Sequence, residues 1–393
     1  MESEETDFSL IPFHTYLWKI TSRCNLNCSY CYVYNLADSR WQHQPAFMSE
    51  RTARQTAFRM REHLESHKKE DASIIFHGGE TLLGGLPHLQ KMLAAISKAF
   101  AGSGINLTVG MQSNLLLFTP EIGDYMLDVG IPIGVSLDGP PEIHDIHRVD
   151  HAGRPTGARL ESKLALLTSP RYRSIFSGFL CVINKDTDPL RITEYLLSYE
   201  PPGIDFLLPL DNHDRRPTGK EGDLLNTTPY GDWLIQSFDY WMDHPNTTKI
   251  RYFNSIIRML CGAPTLVESL GLHPVDLVVV ETNGDIEAVD SLKATFEGAT
   301  RLGYNVFDND FDTAAAHIGV RTRQMGAQSL CQKCRECAVV NICGGGYLPH
   351  RYSSDRGFDN PSVYSADIEK LIRHMHARVS NELSLMGMQE RHE

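Results

Sequence analysis

Residues 15–31 read TYLWKITSRCNLNCSYC, an apolar run followed by three cysteines spaced Cys-x3-Cys-x2-Cys at positions 24, 28 and 31. The run from Thr15 to Thr21 is rich in aromatic and β-branched residues, the content of a strand. The cysteines therefore fall in the loop at its carboxyl end. Three thiolates so close together can hold three irons of a [4Fe–4S] cube and leave the fourth iron without a protein ligand. Such an open iron suits chemistry rather than electron storage, because a substrate can bind there. The competing reading is a zinc site that lacks its fourth ligand.

Outward from this stretch, short β-rich runs alternate with amphipathic helical ones. Strands are expected at 72–77, 105–112, 131–137, 174–183 and 204–209, with helices at 49–68, 87–101, 120–129, 156–168, 187–199 and 228–244. Such alternation implies parallel strands with helical crossovers. Six units are two short of a closed eightfold barrel, so the expected fold is α/β, an open, partial (β/α)6 barrel. Active sites of such folds lie at the carboxyl ends of the strands. Gly78-Gly79-Glu80, Ser113-Asn114, Asp138-Gly139 and the trio Asp211, Asn212 and His213 all fall there.

After residue 245 the pattern changes. A helix at 250–261 leads to VDLVVVETNGDIEAVDSL, two β-like runs joined by the hairpin signal Asn283-Gly284. A helical stretch at 312–323, a second cysteine group and a helix from Ser365 to Glu382 follow. The domain boundary is expected between 245 and 275, giving a barrel over 1–245 and a bridging and cluster-bearing region over 246–393.

Composition bounds the function. A formal net charge of -12 argues against nucleic acid as a main ligand. Arg148, Arg154, Arg159, Arg171 and Arg173 lie close in sequence, as a solvated face or a patch for an acidic redox partner. No apolar run approaches the ~20 residues needed to span a bilayer, so no membrane association is expected. The amino terminus MESEETDFSL is too acidic and polar for a secretory signal, which implies the cytoplasm. Of nine cysteines, seven form two tight groups, a distribution that in this compartment indicates metal or redox chemistry. Cys181 and Cys261 stand alone and read as small buried apolar residues.

The first cysteine group, with Tyr30 before its last member, resembles the defining motif of the radical S-adenosylmethionine (SAM) superfamily. His77-Gly78-Gly79-Glu80 is similar to that superfamily's GGE motif, with Thr81 where proline is usual. Gln112-Ser113-Asn114 and Ser136-Leu137-Asp138-Gly139 resemble its later SAM-contacting strand ends. The resemblance implies a [4Fe–4S] cluster on Cys24, Cys28 and Cys31, with SAM on its open iron. Tyr30, Gly78, Gly79, Glu80, Gln112, Ser113, Asn114, Ser136, Asp138 and Arg148 would surround it. Glu80 would accept from the amino group; Arg148 would pair with the carboxylate or else lie on the surface. A reductant such as flavodoxin or ferredoxin is implied as well.

The second group, CQKCRECAVVNIC, offers Cys331, Cys334, Cys337 and Cys343. Four thiolates ligate a [4Fe–4S] cluster fully; a zinc knuckle is the alternative. Cys334-x2-Cys337-x5-Cys343 is similar to the core of the SPASM extension of peptide-modifying radical SAM enzymes. The full pattern has seven cysteines for two auxiliary clusters, so this shorter set implies one. Its fourth ligand would be Cys331 or Ser365, the latter standing where a cysteine is usual.

The string CGGGYLPHRYSSDRGFDNPSVYSADIEKLI resembles enzymes that install three-residue cyclophanes in ribosomally made peptides, as do VSLDGPPEIHDIHR, IDFLLPLDNHDRRP and ETNGDIEAVDSLK. The resemblance implies a precursor-peptide substrate. A β-hydrogen would be removed, and the carbon radical would add to an aromatic ring two residues away. Asp211, His213 and Asp214 are the candidates for the base that takes the ring proton. His350 and Arg351 are expected to brace the cluster fold, and Gly344-Gly345-Gly346 to allow close backbone approach. Only 23 residues precede the first cysteine, so a leader peptide is expected to bind a strand edge or the hairpin, or to arrive on a separate protein. An ether crosslink, β-hydroxylation, formylglycine formation or a catalytically silent cluster protein are the other readings.

Overall fold

The computed structural model describes residues 10–265 and 267–389. Ten strands form one sheet: β1 (Thr15–Thr21), β2 (Asp71–Gly78), β3 (Asn106–Ser113), β4 (Ile133–Ser136), β5 (Phe176–Val182), β6 (Gly203–Leu207), β7 (Lys249–Ile250), β8 (Leu277–Val280), β9 (Asp285–Glu287) and β10 (Arg301–Asn305). Their order is β10-β9-β8-β1-β2-β3-β4-β5-β6-β7. From β8 through β7 every pairing is parallel, and only β9 and β10 run antiparallel to their neighbours. This is the expected α/β partial barrel, extended past β1 by the hairpin.

The helices that cross over between strands start and stop on local signals. In α1 (Glu50–Ser66) the Ser49 side chain accepts from the Thr52 backbone N–H, and α2 (Gly85–Phe100) packs beside it. Thr119 caps α3 (Pro120–Val129), with Pro120 in the first turn and Gly130 left-handed at the end.

β1 is the axis of the core. Tyr16, Trp18 and Ile20 are wholly buried, as are Ile74 and Phe76 on β2. β8 pairs with β1 from Thr15↔Leu277 to Trp18↔Val280, so the sheet runs across the boundary expected between 245 and 275. The last helix, Ser365–Gln389, packs on the helix Pro229–Asp243. Its buried Asp367 accepts from Lys220 Nζ at 2.6 Å and from the Tyr230 and Gly231 backbone N–H groups at 2.9 Å. This fastens the cysteine-rich segment back onto the barrel.

Three local expectations change. The stretch 312–323 is two short helices, Phe311–Ala315 and Ile318–Arg321, broken where His317 caps the second through Gly319 N–H. β10 escaped notice because Gly303, at φ +82°, sits in a bulge that interrupts the alternation. Cys181 is buried as expected, but Cys261 ends a helix and is exposed; the residue after a helix's last turn need not face the core. Among the described residues no helix is long and apolar enough to cross a membrane.

Candidate active site

The loop after β1 is pinned by backbone bonds to the loop after β4: Asn27 N–H donates to Val149 O at 2.8 Å and Ser29 N–H to His147 O at 3.0 Å. Asn35 Nδ2 donates to Cys28 O at 2.8 Å. These contacts hold Cys24, Cys28 and Cys31 on one side of the strand ends. Burial, joined by the Glu80 carboxylate, pushes the Cys24 thiol up to about 12. Burial and Cys28 push Cys31 to about 11. Buried thiols of this kind release their protons only to a bound cation or cluster.

Directly beside them β2 ends in the double glycine. Gly78 has φ +137°, and a Cβ there would meet Thr21 O at 1.9 Å; a Cβ on Gly79 would meet the Tyr34 hydroxyl at 2.0 Å and Arg23 O at 2.2 Å. Only bare backbone fits so close to the cysteine loop. Glu80 follows, 1% exposed. Its carboxylate accepts from Ser113 Oγ (2.6 Å), Leu82 N–H (3.0 Å) and Asn114 N–H (2.8 Å). Burial raises its pKa, and these bonds oppose the rise. Asn114 Nδ2 also donates to Asn25 Oδ1 at 2.8 Å, tying β3 to the cysteine loop. Gln112 Nε2 donates to Ser136 Oγ at 2.9 Å.

A second set closes the other flank. Tyr30 donates to Asp138, Arg148 donates to the Tyr30 hydroxyl at 2.7 Å, and Asp138 accepts from Val182 N–H at 3.1 Å. Arg148 is buried, not a surface arginine, and its Nε has no partner among the described residues. An unpaired buried guanidinium N–H near Cys28 and Cys31 suits an anionic ligand. Glu80, Asn114, Tyr30, Asp138 and Arg148 are thus joined to one another or to the cysteine loop by hydrogen bonds, Gly78 and Gly79 lie against its backbone, and Gln112 and Ser136 pair with each other on the neighbouring strand ends.

The auxiliary cysteines gather as well. Cys331, Cys334 and Cys343 are buried. Burial, with contact from Cys331, pushes Cys334 up to about 12, and burial takes Cys343 to about 11. Arg351, 5% exposed with Nε and one terminal nitrogen unpartnered, has Cys334, Cys331 and Cys343 as its negative neighbours. Gly344, at φ +62°, lies where a Cβ would meet Gly271 O at 1.9 Å. Ser365 begins the last helix, its N–H donating to Ser362 O at 2.9 Å.

The donors fit clusters better than single ions. Four sulfurs on one zinc stand about 3.8 Å apart, given ~2.3 Å bonds. Among the described residues the only trio with ligand atoms within 4.8 Å of one another is His63, His67 and Asp312, so neither cysteine group is drawn in that far. A cube spreads its thiolates more widely. This pair of histidines and its aspartate form a structural ladder: Phe13 N–H donates to His63 Nε2 at 3.0 Å, so the ring proton sits on Nδ1 and faces Asp312 Oδ1 at 2.5 Å.

A buried ionic network between the two cysteine groups went unread in the sequence. Lys19 Nζ on β1 lies 3.3 Å from Glu281 and 3.4 Å from Asp290. Lys293 bonds Glu281 at 2.5 Å and stands 3.3 Å from Glu287, which also pairs with Arg40 at 2.8 Å. Tyr32, next to Cys31, donates to Asp290 at 2.6 Å. Tyr347, four residues past Cys343, donates to Ser291 Oγ at 2.6 Å. The signal was a lysine inside an apolar strand, which is rarely buried without a partner.

The three residues expected as bases tie the loop after β6 to the carboxy-terminal segment. Asp211 pairs with Arg215 Nε at 3.0 Å and accepts from Tyr364 at 3.1 Å. His213 Nε2 donates to Pro361 O at 2.8 Å, and Asp214 accepts from Ser354 N–H at 3.0 Å.

Residues 18–187 match the sequence family described as the Radical SAM superfamily. The chain is 23% identical over 380 residues to the cysteine-type anaerobic sulfatase-maturating enzyme of Clostridium perfringens, covering 94% of this chain and 98% of that one. It is 30% identical over 227 residues to an uncharacterised protein of Methanothermobacter thermautotrophicus, covering 56% of this chain and 76% of the other. The solved structure of native anSMEcpe with bound AdoMet and Cp18Cys peptide shares the fold, with TM-score 0.78, 21% identity and coverage of 95% and 99%.

Proposed function

The chain belongs to the radical SAM superfamily, and we propose that it is a peptide maturase that oxidises a side-chain β-carbon, the resulting radical being trapped by an aromatic ring two residues away. The observation that supports an oxidative peptide reaction is the shared wall between the two cysteine groups; the crosslink itself rests on the resemblance of the carboxy-terminal string. Tyr32 leaves Cys31 for Asp290, and Tyr347 leaves the Cys343 loop for Ser291, the next residue. Closing such a crosslink releases one hydrogen atom, one electron and one proton. A site for an electron acceptor within the same wall suits that balance.

Cys24, Cys28 and Cys31 would hold a [4Fe–4S] cluster, which when reduced would supply the electron for the radical cleavage of SAM. Glu80, oriented by Ser113 and Asn114, receives the amino group of SAM. Arg148, steadied by Tyr30 and Asp138, would pair with its carboxylate. Gln112 and Ser136 brace the neighbouring strand ends. Cys331, Cys334, Cys337 and Cys343 hold one auxiliary cluster, with Arg351 offsetting its charge. For the ring proton we retain Asp211, His213 and Asp214, whose side chains link the loop after β6 to the carboxy-terminal segment. The partners are a ribosomal precursor peptide and a one-electron donor such as flavodoxin or ferredoxin, in the cytoplasm.

The second reading is formylglycine formation, favoured by the sulfatase-maturating relative that spans nearly the whole chain. Both reactions begin at a β-carbon. Incubation with peptides that carry an aromatic residue two positions from a deuterated β-carbon, and with a cysteine- or serine-containing peptide deuterated at that side chain's β-carbon, separates them. Label should appear in 5′-deoxyadenosine in either case. A product lighter by two hydrogens, inert to hydrazide and resistant to fragmentation between ring and partner residue, establishes the crosslink. A hydrazide-reactive product establishes the aldehyde, and label from an α-carbon overturns both.

A further inference from the structure

Tyr34 stands three residues beyond Cys31, and none of the sequence motifs includes it. Its ring meets Trp41 edge to face, with centroids 4.8 Å apart. Arg23 holds Trp41 from the other side, its guanidinium 5.3 Å from the indole centroid and donating to Trp41 O at 2.9 Å. The Tyr34 ring is thereby wedged in one orientation. Its hydroxyl is sealed from solvent, yet among the described residues it has no hydrogen-bond partner. A buried phenol without a partner is unfavourable, and such groups are rare without a cause.

Where the hydroxyl points supplies one. A Cβ added at Gly79 would stand 2.0 Å from it, so the oxygen rests against the turn that walls the cysteine loop. After burial itself, Cys24 and Cys31 are the groups that most raise its pKa. Tyr34 N–H donates to Cys31 O at 3.3 Å, so the phenol O–H is a buried donor beside the loop that carries the three cluster cysteines.

We propose that Tyr34 donates a hydrogen bond to a sulfur of the cluster held by Cys24, Cys28 and Cys31, and that this bond raises the cluster's reduction potential. Reduction adds negative charge to the sulfurs, so the bond strengthens in the reduced state and favours it. The inference rests on the cluster and not on which peptide reaction follows.

The test is Tyr34→Phe, which removes only the oxygen. Reconstituted holoenzyme, without SAM or peptide, is titrated potentiometrically, following the electron paramagnetic resonance signal that later SAM addition perturbs. Iron content should match the parent. The ratio of reduced to oxidised cluster at a fixed potential should fall about tenfold, a downward shift of about 59 mV for a one-electron couple. An unchanged midpoint overturns the proposal, and an unchanged midpoint with weakened SAM binding assigns the hydroxyl to SAM instead. Should the phenylalanine variant take up less iron, a fluorinated tyrosine at position 34, a more acidic donor, must move the midpoint upward; no movement again overturns it. Failure with every peptide leaves this result standing. A protein that takes up no iron at Cys24, Cys28 and Cys31 overturns both readings.

Discussion

Glu80 shows how much a single residue is asked to do. Three donors converge on its carboxylate, enough to keep it ordered before any ligand arrives. Glu80→Gln retains the shape but removes the charge opposite an ammonium group and turns an amide N–H toward existing donors. The SAM dissociation constant should rise at least about tenfold, ~1.4 kcal/mol, with iron content unchanged; equal affinity in equilibrium dialysis would remove Glu80 from the site. Cys331 and Ser365 divide as cleanly. Cys331 contacts Cys334, and thiolate is the better iron ligand, so Cys331→Ala should lower iron content and bleach part of the cluster absorbance while Ser365→Ala leaves both intact. The opposite result makes the serine oxygen the ligand. Residues such as Cys24, Gly79 and Glu80 were legible in the sequence because bonding or backbone clearance dictates their identity. Lys19 and Asp290 were not, since each needs the other to be tolerable and 270 residues of chain lie between them.

At the scale of elements, the hairpin turns an open sheet edge into the wall of a site. β8 covers β1, and the turn beyond β9 delivers Asp290 to Lys19 and Tyr32. The first six strands and most crossover helices could be read from periodicity, because each packs against the same core, whereas β7 and β10 could not. That β8 joins the barrel could not, since a pairing across the whole chain leaves no local signature. The network has a pH consequence. Burial alone would raise the Asp290 pKa, but Lys19 and His77 outweigh it and hold the carboxyl at about 2, against 3.8. A depressed acid stabilises the fold above its unfolded pKa and loses that contribution as pH falls toward the folded one. Asp290 should thus contribute about 2 kcal/mol at neutral pH, lost between about pH 4 and pH 2. Urea unfolding of cluster-free protein checks this: Asp290→Asn should be less stable than the parent at pH 7, and the gap should close near pH 2. A gap independent of pH would mean that the ion pair is not the source.

The whole molecule behaves as one unit if the sheet is its spine, whatever the composition suggests about a boundary after residue 245. Removing 246–393 would strip β1 of its neighbour along Thr15–Trp18. Val278, Val279 and Val280 are all wholly buried, and at about 1.5–3 kcal/mol for each such side chain their loss alone rivals the ~5–15 kcal/mol net stability of an ordinary domain. The exposed edge of a central strand would also invite pairing between chains. The fragment 1–245 should therefore aggregate or stay molten, showing dye binding and no cooperative thermal transition, although it contains every residue of the first cysteine group. Supplying 246–393 as a separate chain during expression should restore solubility and iron uptake, because the missing strand can be added in trans. A fragment 1–245 that is soluble, unfolds cooperatively and takes up a cluster would refute the single-unit reading. The barrel would then be an independent domain and the hairpin a removable cover, and the buried ionic network would have to form after the barrel has folded rather than with it.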